Sequence, residues 1–108
     1  MKLITAEMVY LESLKQYTGE TSLAVIVYMT SWCPDCTRSR RVLQRTGIKF
    51  VEIDIDKTPT AEDSMRAQNG GSGKIPTILI DGPNGRQVLV EPTDNELTRA
   101  LNSLLIAP

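Results

Sequence analysis

The sequence has no histidine and only two cysteines, Cys33 and Cys36, in 108 residues. A mononuclear zinc site needs four ligands, usually cysteine or histidine, so the chain supplies too few of these residues to build one by itself. Two cysteines are also too few for a secreted scaffold that several disulfides hold together. This scarcity directs attention to the one short segment that contains both cysteines.

The chain also lacks a long apolar run and a strong charge excess. No segment approaches the roughly 20 apolar residues that a membrane-spanning helix needs. Glu7 and Glu12 interrupt the N-terminal region, which therefore does not follow the basic, apolar and small-residue order of a signal peptide. The formal net charge of -1 gives no general attraction to nucleic acid or to anionic membranes. These features predict a cytoplasmic protein without nucleic-acid or membrane partners.

What the chain does contain is a regular alternation of predicted helices and strands in a length that fits one compact domain. The first half of the chain predicts an amphipathic helix over 5–18, a buried strand over 23–29, a helix from Pro34 to about Thr46 that ends at Gly47, and a strand over 48–56. The second half predicts a helix opened by Thr58 and Pro59, a loop over 69–74, and strands over 76–82 and 86–90. A last helix begins at the capping box of Thr93 and Glu96, with Leu97, Leu101 and Leu104 or Leu105 facing inward. A helical crossover makes the first two strands parallel, and a hairpin makes the last two antiparallel. The prediction is an α/β fold with a four-stranded mixed sheet flanked by helices.

The segment "SWCPDC" places both cysteines where a buried strand meets a helix. At the helix N-terminus, unpaired N–H groups and the helix dipole favour a thiolate, which lowers the pKa of Cys33 below the roughly 8.5 of a free thiol. Cys36 lies one turn further along, close enough to form a disulfide and more deeply buried. Cys33 is therefore the predicted attacking thiol, and Cys36 is predicted to resolve the mixed disulfide. Trp32 is expected to cover the apolar side of the exposed Cys33 sulfur.

Two other interpretations of the cysteine pair stay open at this point. A metal could be held between two chains, or with the help of an outside thiol. The pair could instead be a buried and inert dithiol. The position between a strand and a helix favours redox chemistry over both.

Several motifs together resemble the glutaredoxins, which have the thioredoxin fold. They are "SWCPDC" after an apolar strand, "KIPT" at 74–77, the following "DG", and a strand and helix that lead to the region of Thr93. The segment "NGGSGKIPTILIDG" is similar to the actinobacterial mycoredoxin branch. The resemblance covers about residues 23–105, so the chain divides into an N-terminal helical extension, 1–22, and a glutaredoxin-like domain, 23–108.

The resemblance implies a set of site residues. Cys33 is implied as the nucleophile and Cys36 as the resolving thiol. The Ile75–Pro76 bond is implied to be cis and to lie against Cys33, where the Ile75 backbone pairs with an extended thiol substrate. Thr93 and Asp94 match the place where the family holds a substrate carboxylate on the N–H groups of the last helix.

The sequence departs from the family pattern at three places. Asp35 stands between the cysteines where an aromatic residue is common, and it is expected to oppose the thiolate and to repel an anionic tripeptide such as glutathione. Glu91 and Pro92 replace a Gly-Gly pair before the last helix, which also argues against a tight anionic site. Val27 occupies the position where thioredoxins carry a buried aspartate, which favours a glutaredoxin-like protein over a thioredoxin-like one.

The remaining candidates are expected near the same site. Pro34 opens the helix, and Trp32 is expected to form a wall beside Cys33. Arg38 is nearest to the helix start among several arginines, and its charge is expected to help ionise Cys33 and to attract thiol carboxylates or an acidic partner. Lys74 could reach a substrate carboxylate. For both basic side chains the simpler alternative is a solvated surface position.

The sequence thus predicts a small monomeric enzyme that reduces protein or low-molecular-weight mixed disulfides. No bound cofactor is implied, and an external thiol such as glutathione or mycothiol is expected to reset the pair. The expected partners are disulfide-containing client proteins and a low-molecular-weight thiol or thioredoxin reductase. Three alternatives are a thioredoxin-related reductase driven by a flavoprotein, a dimer that shares an iron–sulfur cluster, and an inert adaptor. The colour and iron content of the purified protein would reveal the cluster.

Overall fold

The computed structural model describes residues 23–83 and 85–106, with side chains described as far as Ser103. The predicted N-terminal helix over 5–18, the proposed extension over 1–22, and the side chains of Leu104 and Leu105 lie outside the described residues. The secondary-structure elements are β1 (Ala24–Met29), α1 (Pro34–Thr46), β2 (Phe50–Asp54), α2 (Ala61–Gln68), β3 (Thr77–Gly82), β4 (Gly85–Val90) and α3 (Asp94–Ile106). In the described ranges no helix is both long and apolar enough to cross a membrane.

The four strands form one mixed sheet in the order β2-β1-β3-β4. β1 runs parallel to β2 and antiparallel to β3, and β3 and β4 form the antiparallel hairpin. In this register Ile26 of β1 lies between Val51 of β2 and Leu79 of β3. The predicted mixed sheet, with a parallel first pair and an antiparallel final pair, is confirmed.

The side chains of β1 alternate between two apolar clusters, one on each face of the sheet. Val25 and Val27 point toward a cluster that includes Leu43 of α1 and Leu97 of α3. The alternate positions, such as Tyr28, pack with buried residues of α2 on the opposite face. Because a strand buried on both faces needs apolar residues at every position, the continuous apolar run over 23–29 is explained. Leu97 and Leu101 face inward as predicted.

Helix α1 has the boundaries that the sequence predicts. Pro34 occupies its first position, where the absent N–H costs nothing. Gly47 follows the last residue with a φ of 74°, in the left-handed region, and its N–H donates to the Gln44 carbonyl at 3.2 Å. These two residues mark the ends of the helix, which residues 30–33 separate from β1.

The prediction for the start of α2 is wrong by two residues. The helix begins at Ala61, and its N-cap residue is Thr60, with a φ of 65°, rather than Thr58. The Thr58 N–H donates to the Asp54 carbonyl at 3.0 Å, and the Thr58 carbonyl accepts from the Ala61 N–H at 3.2 Å. Thr58 and Pro59 therefore belong to the turns that carry the chain away from β2, and the helix begins only after them.

Candidate active site

Cys33 and Cys36 form a disulfide at the N-terminus of α1, with a Cα–Cα distance of 5.2 Å. Cys33 is the N-cap residue, and its Sγ accepts the backbone N–H of Cys36 at 3.1 Å. The first N–H groups of a helix have no partner inside the helix, so here a sulfur atom takes the place that a serine or aspartate oxygen usually has. The same N–H and the helix dipole favour negative charge on that sulfur.

The two cysteines differ in burial in the direction that the sequence predicts. Cys36 is fully buried, whereas 5% of Cys33 is exposed. The expectation of an exposed Cys33 sulfur is wrong for the disulfide form, because β1, α1 and the Ile75 segment pack around it. Cys33 is nevertheless the member of the pair that retains contact with solvent, and an external sulfur can reach it more readily than Cys36.

The Ile75–Pro76 segment lies against Cys33, although 42 residues separate Ile75 from Cys33 in the chain. The Ile75 carbonyl oxygen is 4.0 Å from Cys33 Sγ, and the Ile75–Pro76 peptide bond is cis, as the resemblance implies. The Pro76 carbonyl accepts the N–H of Glu91 at 2.8 Å, which joins this segment to the end of β4. The segment directly before β3 is therefore held next to the cysteine pair.

Trp32 directly precedes Cys33 in the chain. Its side chain is 68% exposed, and its indole N–H donates to Asp56 Oδ2 at 2.9 Å. The expected role of Trp32 as a cover over the apolar side of the Cys33 sulfur stays a prediction. Its ring is an exposed aromatic surface that a hydrogen bond to Asp56 orients.

Arg38 joins the start of α1 to the start of α3. Its Nη1–H donates to Asp35 Oδ1 at 3.0 Å and its Nε–H donates to Asp94 Oδ1 at 3.0 Å. Its Nη2–H donates to the Pro92 carbonyl at 3.1 Å. The positive charge of Arg38, which the sequence predicts to act on Cys33, is thus shared by the carboxylates of Asp35 and Asp94. Asp35 is also the residue that the sequence predicts to oppose the thiolate.

The N-terminus of α3 is closed by the predicted capping box. The Thr93 N–H donates to Glu96 Oε1 at 2.8 Å, and the Glu96 N–H donates to Thr93 Oγ1 at 3.1 Å. The hydrogen bonds from Thr93 to its carboxylate lower the pKa of Glu96 below its ordinary value. Thr93 and Asp94, expected to hold a substrate carboxylate, are therefore engaged with Glu96 and Arg38.

The remaining candidates are placed as follows. Pro34 is exposed at the first position of α1, and Val27 is buried in the core. Lys74 is exposed directly before Ile75, and its backbone N–H donates to Ser72 Oγ at 3.1 Å. Within residues 23–83 and 85–106 no group of three or more cysteines and carboxylates is arranged to hold a metal ion.

Sequence reasoning missed Asp56 and the Pro92 carbonyl. Asp56 had a usable signal: parallel strands end at the same edge of a sheet, so residues that follow β2 lie near those that follow β1. The Pro92 carbonyl had none, because its contact with Arg38 depends on how α1 and α3 pack together.

Three comparisons place the chain among known proteins. The glutaredoxin family model matches residues 25–83. A glutaredoxin of Pseudomonas aeruginosa is 41% identical over 56 residues, which cover 52% of this chain and 66% of that protein. A candidate glutaredoxin of Mycobacterium tuberculosis is 32% identical over 79 residues, which cover 72% of this chain and 89% of that protein.

Solved structures support the fold. The thioredoxin Deadhead of Drosophila melanogaster superposes with a TM-score of 0.65 at 16% identity, covering 96% of this chain and 99% of that one. At this identity the likeness shows the thioredoxin fold alone. Since the glutaredoxin model matches 25–83 of 108 residues and includes both cysteines of the disulfide, the chain belongs to the glutaredoxin family of thiol–disulfide oxidoreductases.

Proposed function

We propose that the protein reduces protein disulfides and low-molecular-weight mixed disulfides through the Cys33/Cys36 dithiol. The observation that carries the proposal is the 3.1 Å contact in which the Cys36 N–H donates to Cys33 Sγ at the N-terminus of α1. A donor aimed at the sulfur favours the thiolate, which is the nucleophile in disulfide exchange. The greater exposure of Cys33 supports an attack by Cys33 and a resolving step by Cys36.

The reaction has two exchange steps. The Cys33 thiolate attacks one sulfur of a substrate disulfide, a bond forms between the two sulfurs, and the other substrate sulfur leaves as a thiolate that takes up a proton. The Cys36 thiolate then attacks Cys33 Sγ, which forms the Cys33–Cys36 disulfide and releases the second substrate thiol. The substrate gains two electrons, and the protein dithiol loses two.

The proposed substrate contacts lie around Cys33. The Ile75 backbone next to Pro76 would pair with an extended substrate, as an added strand pairs with a sheet edge. Trp32, Pro34 and Lys74 are exposed near this segment or near the start of α1 and would contact the substrate from the side. The carboxylate of Asp35 would also lie close to a substrate bound at Cys33.

We also propose that an external thiol resets the disulfide, with glutathione and mycothiol as the first candidates and a flavoprotein thioredoxin reductase as the alternative. Two thiols reduce the Cys33–Cys36 disulfide and leave as their own disulfide. The proposed domain is 23–108 with 1–22 as an extension, acting as a monomer in the cytoplasm. Client proteins would be those with accessible disulfides.

A reductant panel tests the proposal. The oxidised protein is mixed with glutathione, mycothiol or thioredoxin reductase with NADPH, together with a disulfide substrate, and the release of substrate thiol is followed. At least one reductant should support turnover, and Cys33→Ser should support none under the same conditions. Turnover by Cys33→Ser equal to that of the unaltered protein would contradict the assignment.

A further inference from the structure

A surface is formed where the start of α1, which contains Asp35 two residues after Cys33, meets the start of α3. Arg38 is central to this surface, and its side chain is 44% exposed. It forms ion pairs at 3.0 Å with Asp35 and with Asp94, which are 49% and 46% exposed. One guanidinium therefore stands between two carboxylates, and the sum of the three charges is negative.

The donors of Arg38 are directed at oxygen atoms of the protein itself. Nε, Nη1 and Nη2 each donate to a different acceptor, the third being the carbonyl of Pro92. A guanidinium usually recognises a carboxylate through two parallel N–H donors. Three of the five guanidinium N–H donors are thus engaged, and a substrate carboxylate at this place would meet the negative charges of Asp35 and Asp94.

The first turn of α3 carries further negative charge. The Glu96 carboxylate accepts a hydrogen bond from the Thr93 N–H, and Asp94 is the first residue of the helix. Helix N-termini commonly attract anions, but here the protein places its own carboxylates at that end. Both arrangements act against a negatively charged substrate group.

Resting on the proposed function, we propose that this surface makes the enzyme select against disulfides whose small-thiol half is anionic. The preferred substrates carry a neutral or cationic small thiol. In the reaction concerned, Cys33 attacks the sulfur of the small thiol, the client thiolate leaves and takes up a proton, and Cys36 then releases the small thiol. Asp35 and Asp94 are the specificity-determining residues, and Arg38 holds them in place.

The expected size of the effect follows from the exposure of these charges. An interaction between half-exposed charges changes a rate or equilibrium constant by about 1.5- to 5-fold. The effect should decrease as salt is raised, because exposed charges are screened over a Debye length of about 10 Å at 0.1 M. The selectivity is therefore moderate and dependent on ionic strength, so it slows an anionic reductant such as glutathione without preventing its reaction.

The test uses the pre-reduced protein in single turnover, so that no reductant enters the measurement. One client peptide is joined in mixed disulfides to mercaptopropionate, mercaptoethanol or cysteamine, which have similar sizes and are anionic, neutral or cationic. Second-order rate constants are measured for the unaltered protein, Asp35→Asn and Asp94→Asn. Asparagine retains an oxygen that can accept from Arg38 but has no charge.

Asp81→Asn is the matched control, because Asp81 is also paired with an arginine, Arg86. It lies opposite Ala24 at the far end of the sheet. Each site variant should raise the rate constant for the anionic substrate about 1.5- to 5-fold relative to the neutral one and lower that for the cationic one. The control should leave these ratios unchanged.

The outcomes separate this inference from the proposed function. Equal changes for all three substrates, or a shift of the same size in Asp81→Asn, would overturn the selectivity. A persistent effect at high salt would also contradict a surface-charge origin. Failure to react with any of the three substrates would instead overturn the proposed function itself.

Discussion

Replacing Arg38 by alanine removes the side chain that connects the cysteine segment to α3. Two ion pairs between half-exposed groups are lost, each contributing about 0.2–1 kcal/mol. The hydrogen bond to the Pro92 carbonyl is also lost, and it contributes about 0.5–1.5 kcal/mol. We therefore expect Arg38→Ala to reduce the free energy of unfolding of the oxidised protein by about 1–3 kcal/mol.

Urea denaturation of the oxidised protein measures this change. Arg41→Ala is the control, because Arg41 is an exposed arginine on the same helix, and it should change stability by less than about 0.5 kcal/mol. Arg38→Lys retains the charge but cannot reproduce three donors in a fixed plane, so it should restore only part of the loss. Equal stability of Arg38→Ala and Arg41→Ala would show that the contacts of Arg38 do not stabilise the fold.

The same variant has a second expected consequence at the cysteine pair. Without Arg38, the carboxylate of Asp35, two residues after Cys33, loses the cationic partner that it has among the described residues. A negative charge disfavours a nearby anion, so the thiolate should form at higher pH in reduced Arg38→Ala than in the unaltered protein. Ultraviolet absorbance of the thiolate follows this, and adding Asp35→Asn to the variant should reverse it. A thiolate that forms at the same pH would mean that the two side chains do not influence the sulfur.

Three further predictions concern the contacts around this site. Gly47→Ala should destabilise the protein by about 1–2 kcal/mol, because alanine is strained at a φ of 74°, and Gly47→Asn should cost less in the same urea titration. The lowered pKa of Glu96 contributes stability that is present above its unfolded pKa and is lost as pH falls through its folded pKa. The stability difference between the unaltered protein and Glu96→Gln should therefore decrease from pH 7 to pH 3, and a constant difference would show that the charge of Glu96 does not stabilise the helix start. Asp56→Ala should lower the fluorescence anisotropy of Trp32, the one tryptophan of the chain, and unchanged anisotropy would show that its hydrogen bond does not hold the ring.

Local sequence signals predicted much of the fold. Pro34 and Gly47 set the limits of α1, because a proline suits the first helical position and a glycine suits the left-handed end. Thr93 and Glu96 gave the start of α3 for an equally local reason. The prediction for the start of α2 was wrong because a threonine followed by a proline is also typical of a helix start. Here the hydrogen bonds of Thr58 with the Asp54 carbonyl and the Ala61 N–H place both residues in turns.

The site was predicted only as far as local sequence determines it. The cysteine pair and the position of Ile75 followed from motifs. The contacts of Arg38 did not, because Asp94 lies 56 residues away in sequence and meets Arg38 only after α1 and α3 pack on the same face of the sheet. The hydrogen bond from Trp32 to Asp56 was not predicted either, because the parallel pairing of β1 and β2 brings Asp56 near.

The central claim is that Cys33 attacks and Cys36 resolves, and intact-protein mass spectrometry of two reduced variants tests it most directly. Cys36→Ser and Cys33→Ser are each mixed with the neutral mercaptoethanol mixed disulfide. Cys36→Ser should accumulate a covalent adduct on Cys33, because attack occurs without resolution. Cys33→Ser should remain unmodified, since Cys36 is fully buried. An adduct on Cys33→Ser alone would reverse the two roles and contradict the account.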